Sequence, residues 1–466
     1  MNRRNFIQYA GVLLPLSGAN ISWITSAMSS QSFKTITISK GKASVEKEPL
    51  SKPFGFKGGY LTELWQSAVK LESKRGSSSI GLGTQSVLWS DSGVFSSHSE
   101  TEGNSLMFML TQKALDIVKG RSFQDPVTLL DSILEEVYDY GKKITGKENL
   151  RKTFALNALV PVDNAVWLLY ARENGLSSFD EMIPASYRKG LSTRHHKIAY
   201  IPLISYNVSV EELKNSIQKD GSFFIKIKLG QPGTQEEMLE KDKANLTQIH
   251  GAVGEFKTPY TNSGKLLYYF DANGRYESKE TLKEFISHAK SIGAFDQIAI
   301  LEEPFPEEFD TDVSDLGVRI CADESAHTDS DVLNRIQQGY SAIALKPIAK
   351  TLSITLKMIK TAYENGIPCF CADLTVNPVL VEWNRNIAAR LQPFPGLKTG
   401  LLETNGAQNY KHWEALSSYN PANGQPWTKI NQGIFELDQD YYKNSGGIFS
   451  RSPHYEGLFQ SIQIKK

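Results

Sequence analysis

The 466-residue chain contains three cysteines, Cys321, Cys369 and Cys371, which is both few and an odd number. So few cysteines argue against a disulfide framework, even in an exported protein. All three fall within apolar runs that are rich in β-prone residues. We therefore predict that they are small core residues with free thiols.

An excess of either charge is also missing, because 51 Lys and Arg balance 51 Asp and Glu. No sustained basic stripe interrupts this balance, which argues against a nucleic-acid partner. With 40% apolar and 22% charged residues, the chain has the composition of a globular enzyme and enough length for two domains. A homo-oligomer is compatible with this composition.

Long uninterrupted hydrophobic runs are missing as well. Residues 9–24 are apolar but broken by Gly, Ser and Asn, so we predict no integral membrane span in the mature chain. The pair Arg3-Arg4 precedes this stretch, and the small residues 25–27 follow it as a cleavage site. Residues 1–27 are thus predicted to be a twin-arginine-type export signal, which indicates a periplasmic or otherwise exported protein. An uncleaved anchor, or a cytoplasmic protein that does not use this signal, is the alternative.

Three apolar runs end abruptly on a carboxylate. Residues 266–270 precede Asp271, residues 298–301 precede Glu302, and residues 318–322 precede Asp323. A run of four or five β-prone residues between turn residues is typical of a buried parallel strand, and α/β folds keep their sites at the carboxyl ends of such strands.

Two further apolar runs, at residues 223–230 and 340–347, precede and follow these three, and helix-like segments lie among the five runs at residues 236–253, 278–292 and 331–338. The chain therefore repeats a β-α unit every roughly 20 to 45 residues, which predicts parallel strands in an α/β fold.

Lysines flank the three acids along the chain, with Lys226 and Lys228 before them and Lys346 after them. A closed barrel would bring the strand ends round a ring, where three acids can bind one Mg²⁺ and lysines can approach a substrate from opposite faces. A metal on the substrate carboxylate stabilises an enediolate, and neighbouring charge is expected to lower a lysine pKa towards working pH. For one such residue alone a solvated ion pair is the commoner outcome, but the ordered set favours abstraction of a proton α to a carboxylate.

Five short motifs, taken in this order, resemble those of the enolase superfamily. They are Lys226-Ile227-Lys228, Asp271-Ala272-Asn273, Leu301-Glu302-Glu303-Pro304, Ala322-Asp323-Glu324-Ser325 and Leu345-Lys346-Pro347. Within the superfamily, the chain resembles the muconate-lactonizing-enzyme and mandelate-racemase-like family, and is most similar in motif to the dipeptide epimerase branch that includes L-Ala-D/L-Glu epimerases.

The resemblance implies an α/β fold, a modified (β/α)8 TIM-type barrel with an α+β N-terminal capping domain. The expected bounds are residues 33–195 for the capping domain and 196–405 for the barrel. Residues 406–466 are expected to return to the capping domain.

The resemblance also implies the roles of the site residues. Asp271, Glu302 and Asp323 would bind one Mg²⁺ per site, and Lys228 and Lys346 would be the acid/base pair. Lys226 would support Lys228. Two further residues of the motifs, Asn273 and Glu324, would support the metal ligands without binding the metal. The superfamily's alternative base, a His on the seventh strand, does not fit, because no histidine lies in residues 369–373.

The predicted eighth strand departs from the epimerase pattern. Dipeptide epimerases carry Asp-x-Asp at its end to hold the substrate's α-ammonium group, whereas this chain has Glu403-Thr404-Asn405. Glu403 is therefore a candidate substrate-binding residue. Asp373 is a second candidate, or else it caps the helix predicted from about Asn377.

The capping region gives weaker signals. Residues 33–38 predict a strand, and residues 65–71 predict either a second strand or a helix that starts near Leu61. Trp89 is either a core residue or part of the substrate loops. Helices are predicted at residues 105–119, 126–140 and 155–174, and barrel strands at residues 198–204, 367–372 and 397–402.

Taken together, the sequence predicts a Mg²⁺-dependent isomerase that acts on a small-molecule carboxylate. It would remove the proton α to a carboxylate or carboxamide and so racemise or epimerise a dipeptide or an N-substituted amino acid. A lyase, either an acid-sugar dehydratase or an o-succinylbenzoate-synthase-like enzyme, is the first alternative. A non-catalytic barrel that binds a solute is the alternative from another class.

Overall fold

Two β-sheets organise the computed structural model, which describes residues 33–56, 59–206 and 208–460. The first is antiparallel and has the strand order β3-β2-β1-β4. Its strands are β1 (Ile36–Phe56), β2 (Gly59–Ser73), β3 (Ser78–Gln85) and β4 (Ser122–Phe123). Residues 65–71 thus belong to a strand, and the alternative of a helix is wrong. The predicted export signal, residues 1–27, lies outside the described residues.

Helices follow this sheet and complete the N-terminal region. They are α1 (Val87–Ser90), α2 (Ser92–Ser97), α3 (Glu100–Val118), α4 (Pro126–Thr145), α5 (Lys152–Asn174) and α6 (Phe179–Met182). The three predicted helices are confirmed with shifted ends. For example, α3 begins five residues early, because Ser99 and Glu102 form a capping box there.

The helix α5 is the centre of the N-terminal region. It packs against β3 at Gly81, where a Cβ would lie 2.2 Å from the main chain of Pro161 and Ala165, so only glycine permits this close approach. In the part of the chain that the structure describes, α5 is also the one helix long and apolar enough to cross a membrane, but 94% of that window is buried inside the protein. This burial is what a core helix shows.

The second sheet is the predicted barrel. In spatial order it runs β14-β5-β13-β12-β11-β10-β9-β8-β7-β6. The parallel strands are β5 (Lys197–Ile201), β6 (Leu203–Ile204), β7 (Phe224–Lys228), β8 (Leu267–Asp271), β9 (Ile298–Glu302), β10 (Ile320–Ala322), β11 (Ala342–Leu345), β12 (Cys369–Cys371) and β13 (Gly400–Glu403).

The first barrel strand closes the ring. Pro202 divides it into β5, which pairs with β13, and β6, which pairs with β7. Proline has no N–H for the strand ladder, so the break at this residue is expected. With β5 and β6 counted as one strand, eight parallel strands form the barrel, as predicted.

The helices around the barrel are α7 (Val210–Asp220), α8 (Gln235–Val253), α9 (Lys279–Ser291), α10 (Asp329–Gln337), α11 (Pro347–Lys350), α12 (Leu352–Glu364) and α13 (Pro378–Ala388). Short 3₁₀ helices lie at Ala185–Leu191, Phe295–Gln297 and Ser314–Leu316. Between β9 and β10, residues 303–319 contain the last of these in place of an α-helix. The barrel is modified at that point.

The C-terminal segment contacts both regions. It comprises α14 (Gly406–Asn409), α15 (Trp413–Ser418), the 3₁₀ helix Pro426–Thr428, β14 (Ile434–Glu436), α16 (Gln439–Asn444), the 3₁₀ helix Ser445–Gly447 and α17 (Pro453–Gln460). The main-chain N–H of Lys411 donates to the carbonyl of Pro49 on β1, while β14 pairs antiparallel with β5. The described residues from Lys34 onward pack as one compact unit, which does not separate a capping domain from a barrel, and the predicted domain bounds stay a prediction.

The barrel interior is filled by side chains from all around the ring. Tyr269, Ile300, Cys321, Ala344 and Phe370 are members of one buried cluster. All three cysteines are buried and free, which confirms their prediction as core residues. The apolar filling lies beneath the carboxyl ends of the strands, where the charged residues begin.

Candidate active site

The structure brings the predicted site residues together at the carboxyl end of the barrel. A cavity of about 50 Å³ is lined by eight of the ten, and the other two, Glu302 and Glu324, contact the lining residues Lys226 and Asn273. The eight are Lys226, Lys228, Asp271, Asn273, Asp323, Lys346, Asp373 and Glu403. All ten side chains are buried.

Lys226 lies at the centre of three carboxylates. Its Nζ atom is 2.9 Å from Asp271 Oδ2, 2.8 Å from Glu302 Oε2 and 3.3 Å from Glu403 Oε2. Asp271 and Glu302 are register partners on β8 and β9, so the sheet itself places them side by side. Glu302 also accepts a hydrogen bond from the hydroxyl of Tyr269, a neighbour that the sequence did not single out.

Lys228 belongs to a second hydrogen-bonded group. Its Nζ atom donates to Asp271 Oδ2 at 2.7 Å and to Asn273 Oδ1 at 2.6 Å. The side-chain amide of Asn273 in turn donates to Glu324 Oε1 at 3.0 Å. Asn273 and Glu324 therefore lie around Lys228, and their predicted role of supporting the metal ligands stays a prediction.

Asp323 is paired with lysines on both of its carboxylate oxygens. Lys346 forms an ion pair with Oδ2, and Lys350 lies 3.3 Å from Oδ1. The sequence motif pointed only to Lys346. The spacing of four residues, which puts both lysines on one side of a helical turn, was the signal available for Lys350.

These contacts explain how the site residues titrate. Burial penalises the charged form of Lys346, but Asp323 and then Glu302 outweigh burial and raise the pKa of Lys346. Burial also penalises the charged form of Lys226, but the charges of Asp271 and Glu302 outweigh it and raise the pKa of Lys226. The expectation that neighbouring charge lowers a lysine pKa is therefore wrong for Lys346 in this arrangement, because its nearest neighbours are acids.

The acids respond to the same contacts. Burial raises the pKa of Asp271, but Lys226 and Lys228 outweigh it and hold that pKa well below its usual range. Burial, followed by the charge of Asp271, raises the pKa of Glu302. The pKa values of Asp271 and Glu302 thus shift in opposite directions, because Asp271 forms ion pairs with two ammonium groups and Glu302 with one.

The donor set fits a hard divalent cation on two observations. Glu302 Oε1 is buried and has no hydrogen-bond partner in the described part of the chain. In addition, carboxylates outnumber ammonium groups among the site residues named above, so a cation would offset net negative charge. Within residues 33–56, 59–206 and 208–460, no three His, Cys, Asp or Glu side chains are grouped closely enough to hold a metal ion. At this site the reason is that the ammonium of Lys226 lies between Asp271 and Glu302.

Glu303 has a structural place beside the site. It follows the end of β9 in a left-handed conformation, with φ of 39°, and its Oε2 atom accepts hydrogen bonds from the main-chain N–H groups of Asp323 and Ser325. Burial and the neighbouring Glu324 raise its pKa to about 7. Glu303 thus fixes the main chain that carries Asp323.

Asp373 and Glu403 form the acidic side of the cavity. The main-chain N–H of Asp373 donates to Glu403 Oε2 at 3.2 Å, and the N–H of Asn405 donates to Asp373 Oδ2 at 2.7 Å. Asp373 Oδ1 is buried without a hydrogen-bond partner in the described chain. The helix α13 is capped by Asn377, so Asp373 does not have the capping role that was its alternative.

An apolar roof covers the cavity, formed by Leu50 and Phe54 of β1, Leu61 and Leu64 of β2, and Trp89 of α1. The Trp89 ring lies 4.6 Å from the Nζ atom of Lys346, which is cation–π range. Trp89 is therefore both buried and part of the site. The hairpin that carries most of the roof is joined to the C-terminal segment by the Lys411–Pro49 hydrogen bond.

No protein-family model and no curated protein matches the chain. Solved structures are similar to it. One is a dipeptide epimerase from Enterococcus faecalis V583, complexed with Mg and the dipeptide L-Leu-L-Tyr, at 17% identity and a TM-score of 0.59, over 86% of this chain and 97% of that chain.

Two further solved structures are similar to this chain. An L-talarate dehydratase from Polaromonas sp. JS666, complexed with Mg and L-glucarate, has 16% identity and a TM-score of 0.58 over 86% of this chain and 93% of that chain. A mandelate racemase/muconate lactonizing protein from Herpetosiphon aurantiacus has 16% identity and a TM-score of 0.57 over 86% and 96%. At such identities the likeness shows the fold, and the reaction has to be argued from the site. The chain has the fold of the mandelate racemase/muconate lactonizing members of the enolase superfamily, a modified TIM-type barrel with a capping domain.

Proposed function

We propose that the protein is a Mg²⁺-dependent epimerase that removes the proton α to a carboxylate or carboxamide and delivers another proton from the opposite face. The observation that carries this proposal is the placement of Lys228 and Lys346. Lys228 ends the second barrel strand and Lys346 follows the sixth, so they face each other across an eight-stranded ring. The acids Asp271, Glu302 and Asp323 lie on the three strands between them.

In this proposal Asp271, Glu302 and Asp323 hold the metal ion. When bound, Mg²⁺ supplies positive charge that stabilises the negative charge developing on the substrate carboxylate. Lys226, at the centre of the acids, is suited to hold the other side of that carboxylate.

The two lysines carry the proton. One of them, in its neutral form, accepts the α-proton, and the ammonium of the other donates a proton from the opposite side, which inverts the centre. To act as the base, Lys346 must leave Asp323, because an ammonium without its carboxylate partner loses the interaction that raises its pKa.

The acidic side of the cavity favours a substrate with a free ammonium group. Asp373 and Glu403 are buried, and one oxygen of Asp373 has no partner in the described chain, so an ammonium there would satisfy it. An N-acylated amino acid lacks that group. Within the predicted range of substrates, we therefore favour a dipeptide.

The roof favours an apolar side chain on that dipeptide. Among the described residues that line the cavity, the basic ones are Lys226, Lys228 and Lys346, and each already contacts a carboxylate. An acidic side chain beneath Leu50, Leu61 and Leu64 would lose its water without gaining a cation. We thus propose apolar dipeptides, not L-Ala-D/L-Glu, as the substrates.

Proton NMR in D₂O tests this function directly. The protein is incubated with Mg²⁺ and L-Ala-L-Leu, L-Ala-L-Phe, L-Ala-L-Glu, an N-acetyl amino acid or an acid sugar. Loss of an α-proton signal together with appearance of the diastereomer is the expected result. Loss of water from the acid sugar would establish a dehydratase instead, and binding without exchange would establish a solute-binding protein.

A metal-binding measurement accompanies the activity test. Asp271→Asn should retain the circular dichroism spectrum of the native protein and bind Mg²⁺ at least about tenfold more weakly, because one ligand loses its charge. Unchanged Mg²⁺ affinity in this variant would contradict the proposed ligand set.

A further inference from the structure

Lys350 is a buried cation at the site that none of the proposed steps uses. It is the last residue of α11, and its exposed fraction is 0%. Its Nζ atom donates to the main-chain carbonyl of Asp323 at 2.6 Å and lies 3.3 Å from Asp323 Oδ1. Lys346 occupies the other oxygen of the same carboxylate.

The two lysines differ in what holds them. Lys346 contacts Asp323 only through the carboxylate, whereas Lys350 also binds the main chain, which cannot rotate away as a side chain does. Trp89 contacts both ammonium groups, with its ring centre 5.8 Å from that of Lys350. Lys350 is therefore expected to stay on Asp323 when Lys346 leaves it.

The backbone next to Lys350 is unusual. Thr351 has φ of 69° and ψ of 154°, a region that only glycine adopts readily, and it is fully buried. This turn separates α11 from α12, and the Thr351 hydroxyl accepts the N–H of Ile354 at 3.2 Å. The strained turn ends α11 directly after Lys350.

We infer that Lys350 is a positioning residue that takes one oxygen of Asp323, so that this carboxylate offers a divalent metal ion a single oxygen, and that its charge weakens metal binding at the site. The inference rests on the metal ligands of the proposed function. Like charges a few ångströms apart in a buried site repel strongly, so removal of the Lys350 charge strengthens the attraction for a divalent cation.

A Mn²⁺ titration tests the inference, with free Mn²⁺ followed by electron paramagnetic resonance. Lys350→Met removes the charge, and Lys350→Gln removes the charge but keeps a donor for the Asp323 carbonyl. Both are expected to bind Mn²⁺ at least about tenfold more tightly than the native protein. The matched control is Lys360→Met on α12, a partly exposed lysine paired with Glu364, which should change the affinity by less than about twofold.

Equal or weaker Mn²⁺ binding by folded Lys350→Met and Lys350→Gln would overturn the inference. If neither variant folds, a crystal structure of the native protein with bound Mn²⁺ tests the inference instead. Lys350 is expected to remain on Asp323 Oδ1 with the metal on the other oxygen, and a metal bound to both oxygens would overturn it.

The outcome is separable from that of the proposed function. Tighter Mn²⁺ binding by the variants, without turnover of any carboxylate by the native protein, would support the inference and contradict the epimerase. Epimerisation by the native protein, with unchanged Mn²⁺ affinity in the variants, would support the epimerase and contradict the inference about Lys350.

Discussion

The ammonium of Lys228 lies 2.7 Å from Oδ2 of Asp271, so the second and third barrel strands present a candidate base and a candidate metal ligand as one buried pair. Lys346, which follows the sixth barrel strand, forms a similar buried pair with Asp323, which follows the fifth. Each of the two lysines is thus paired with a different candidate metal ligand, an arrangement that suits the proposed two-base reaction.

Single replacement of each lysine should separate proton removal from proton return. In Lys346→Ala, epimerisation should fall by at least about 100-fold, while one epimer still exchanges its α-proton with D₂O through Lys228. Lys228→Ala should show exchange from the other epimer only. The measurement is α-proton NMR started from each pure epimer.

A partly buried lysine outside the cavity serves as the control for these variants. Lys357→Ala on α12 removes ion pairs with Asp131 and Asp329 and should leave both rates unchanged. Full-rate epimerisation by Lys346→Ala would rule out the two-base assignment.

Substrate affinity should depend on pH through Asp373. Burial, followed by the charge of Glu403, raises the pKa of Asp373 to about 6. Below that pH the side chain is neutral, and above it the carboxylate can pair with an ammonium, so affinity for a dipeptide should rise with pH. The rise from pH 5 to pH 7 should be roughly tenfold, as measured by calorimetry with an unreactive dipeptide analogue.

Asp373→Asn isolates this effect. Its affinity should match that of the native protein at pH 5 and should not rise towards pH 7, because an amide does not ionise. An equally steep rise in this variant would assign the pH dependence to another group.

A cation in the roof should change the substrate preference. Leu64 is 2% exposed and lines the cavity. In Leu64→Lys, the ratio of kcat/KM for L-Ala-L-Glu to that for L-Ala-L-Leu should rise by about tenfold, because the acidic side chain gains a partner. Leu64→Met should leave the ratio near its native value, and an unchanged ratio in Leu64→Lys would place the substrate side chain elsewhere.

Gly81 should be the most sensitive glycine in the N-terminal region. In Gly81→Ala the new Cβ meets the main chain of α5, so the free energy of unfolding should fall by about 3 kcal/mol or more. Gly251→Ala is the matched comparison, since nothing lies within 4 Å of a Cβ there. That change, inside α8, should raise the free energy of unfolding by about 0.5 to 1 kcal/mol in chemical denaturation.

We propose that the protein is exported through residues 1–27. Replacing both Arg3 and Arg4 with Lys should leave the protein in the cytoplasm of a bacterial host, because the twin-arginine pair is the recognised feature of such a signal. Cell fractionation followed by immunoblotting measures the distribution. Equal periplasmic recovery of the native chain and the double variant would contradict this proposal.

Much of the site was predictable because its residues follow strands directly. The strand ends at Asp271, Glu302 and Asp323 could be identified from short β-prone runs, since parallel strands bring consecutive ends to one edge of the sheet. The ends of helices were less predictable. The capping box at Ser99 extended α3 beyond its apolar pattern, and the β-α repeat is broken between β9 and β10, where the chain forms a loop with a 3₁₀ turn.

Contacts between residues distant in sequence were not predictable. The roof depends on how the β1–β2 hairpin folds over the barrel, and no local pattern in Leu50 or Leu64 indicates which cavity they cover. The pair Asp373 and Glu403 likewise exists because β12 and β13 are neighbours, although the two residues were noted separately.

Local periodicity and motif order therefore determined the strands, the barrel class and the set of acids and lysines, because each depends on residues that are adjacent along the chain. Tertiary packing decided which charges meet. The ring brings Lys226 to three carboxylates and Lys350 to Asp323, and the capping region adds Trp89 against Lys346 and Lys350. These pairings determine the charge state of each group, because burial leaves a buried charge only its protein neighbours as partners.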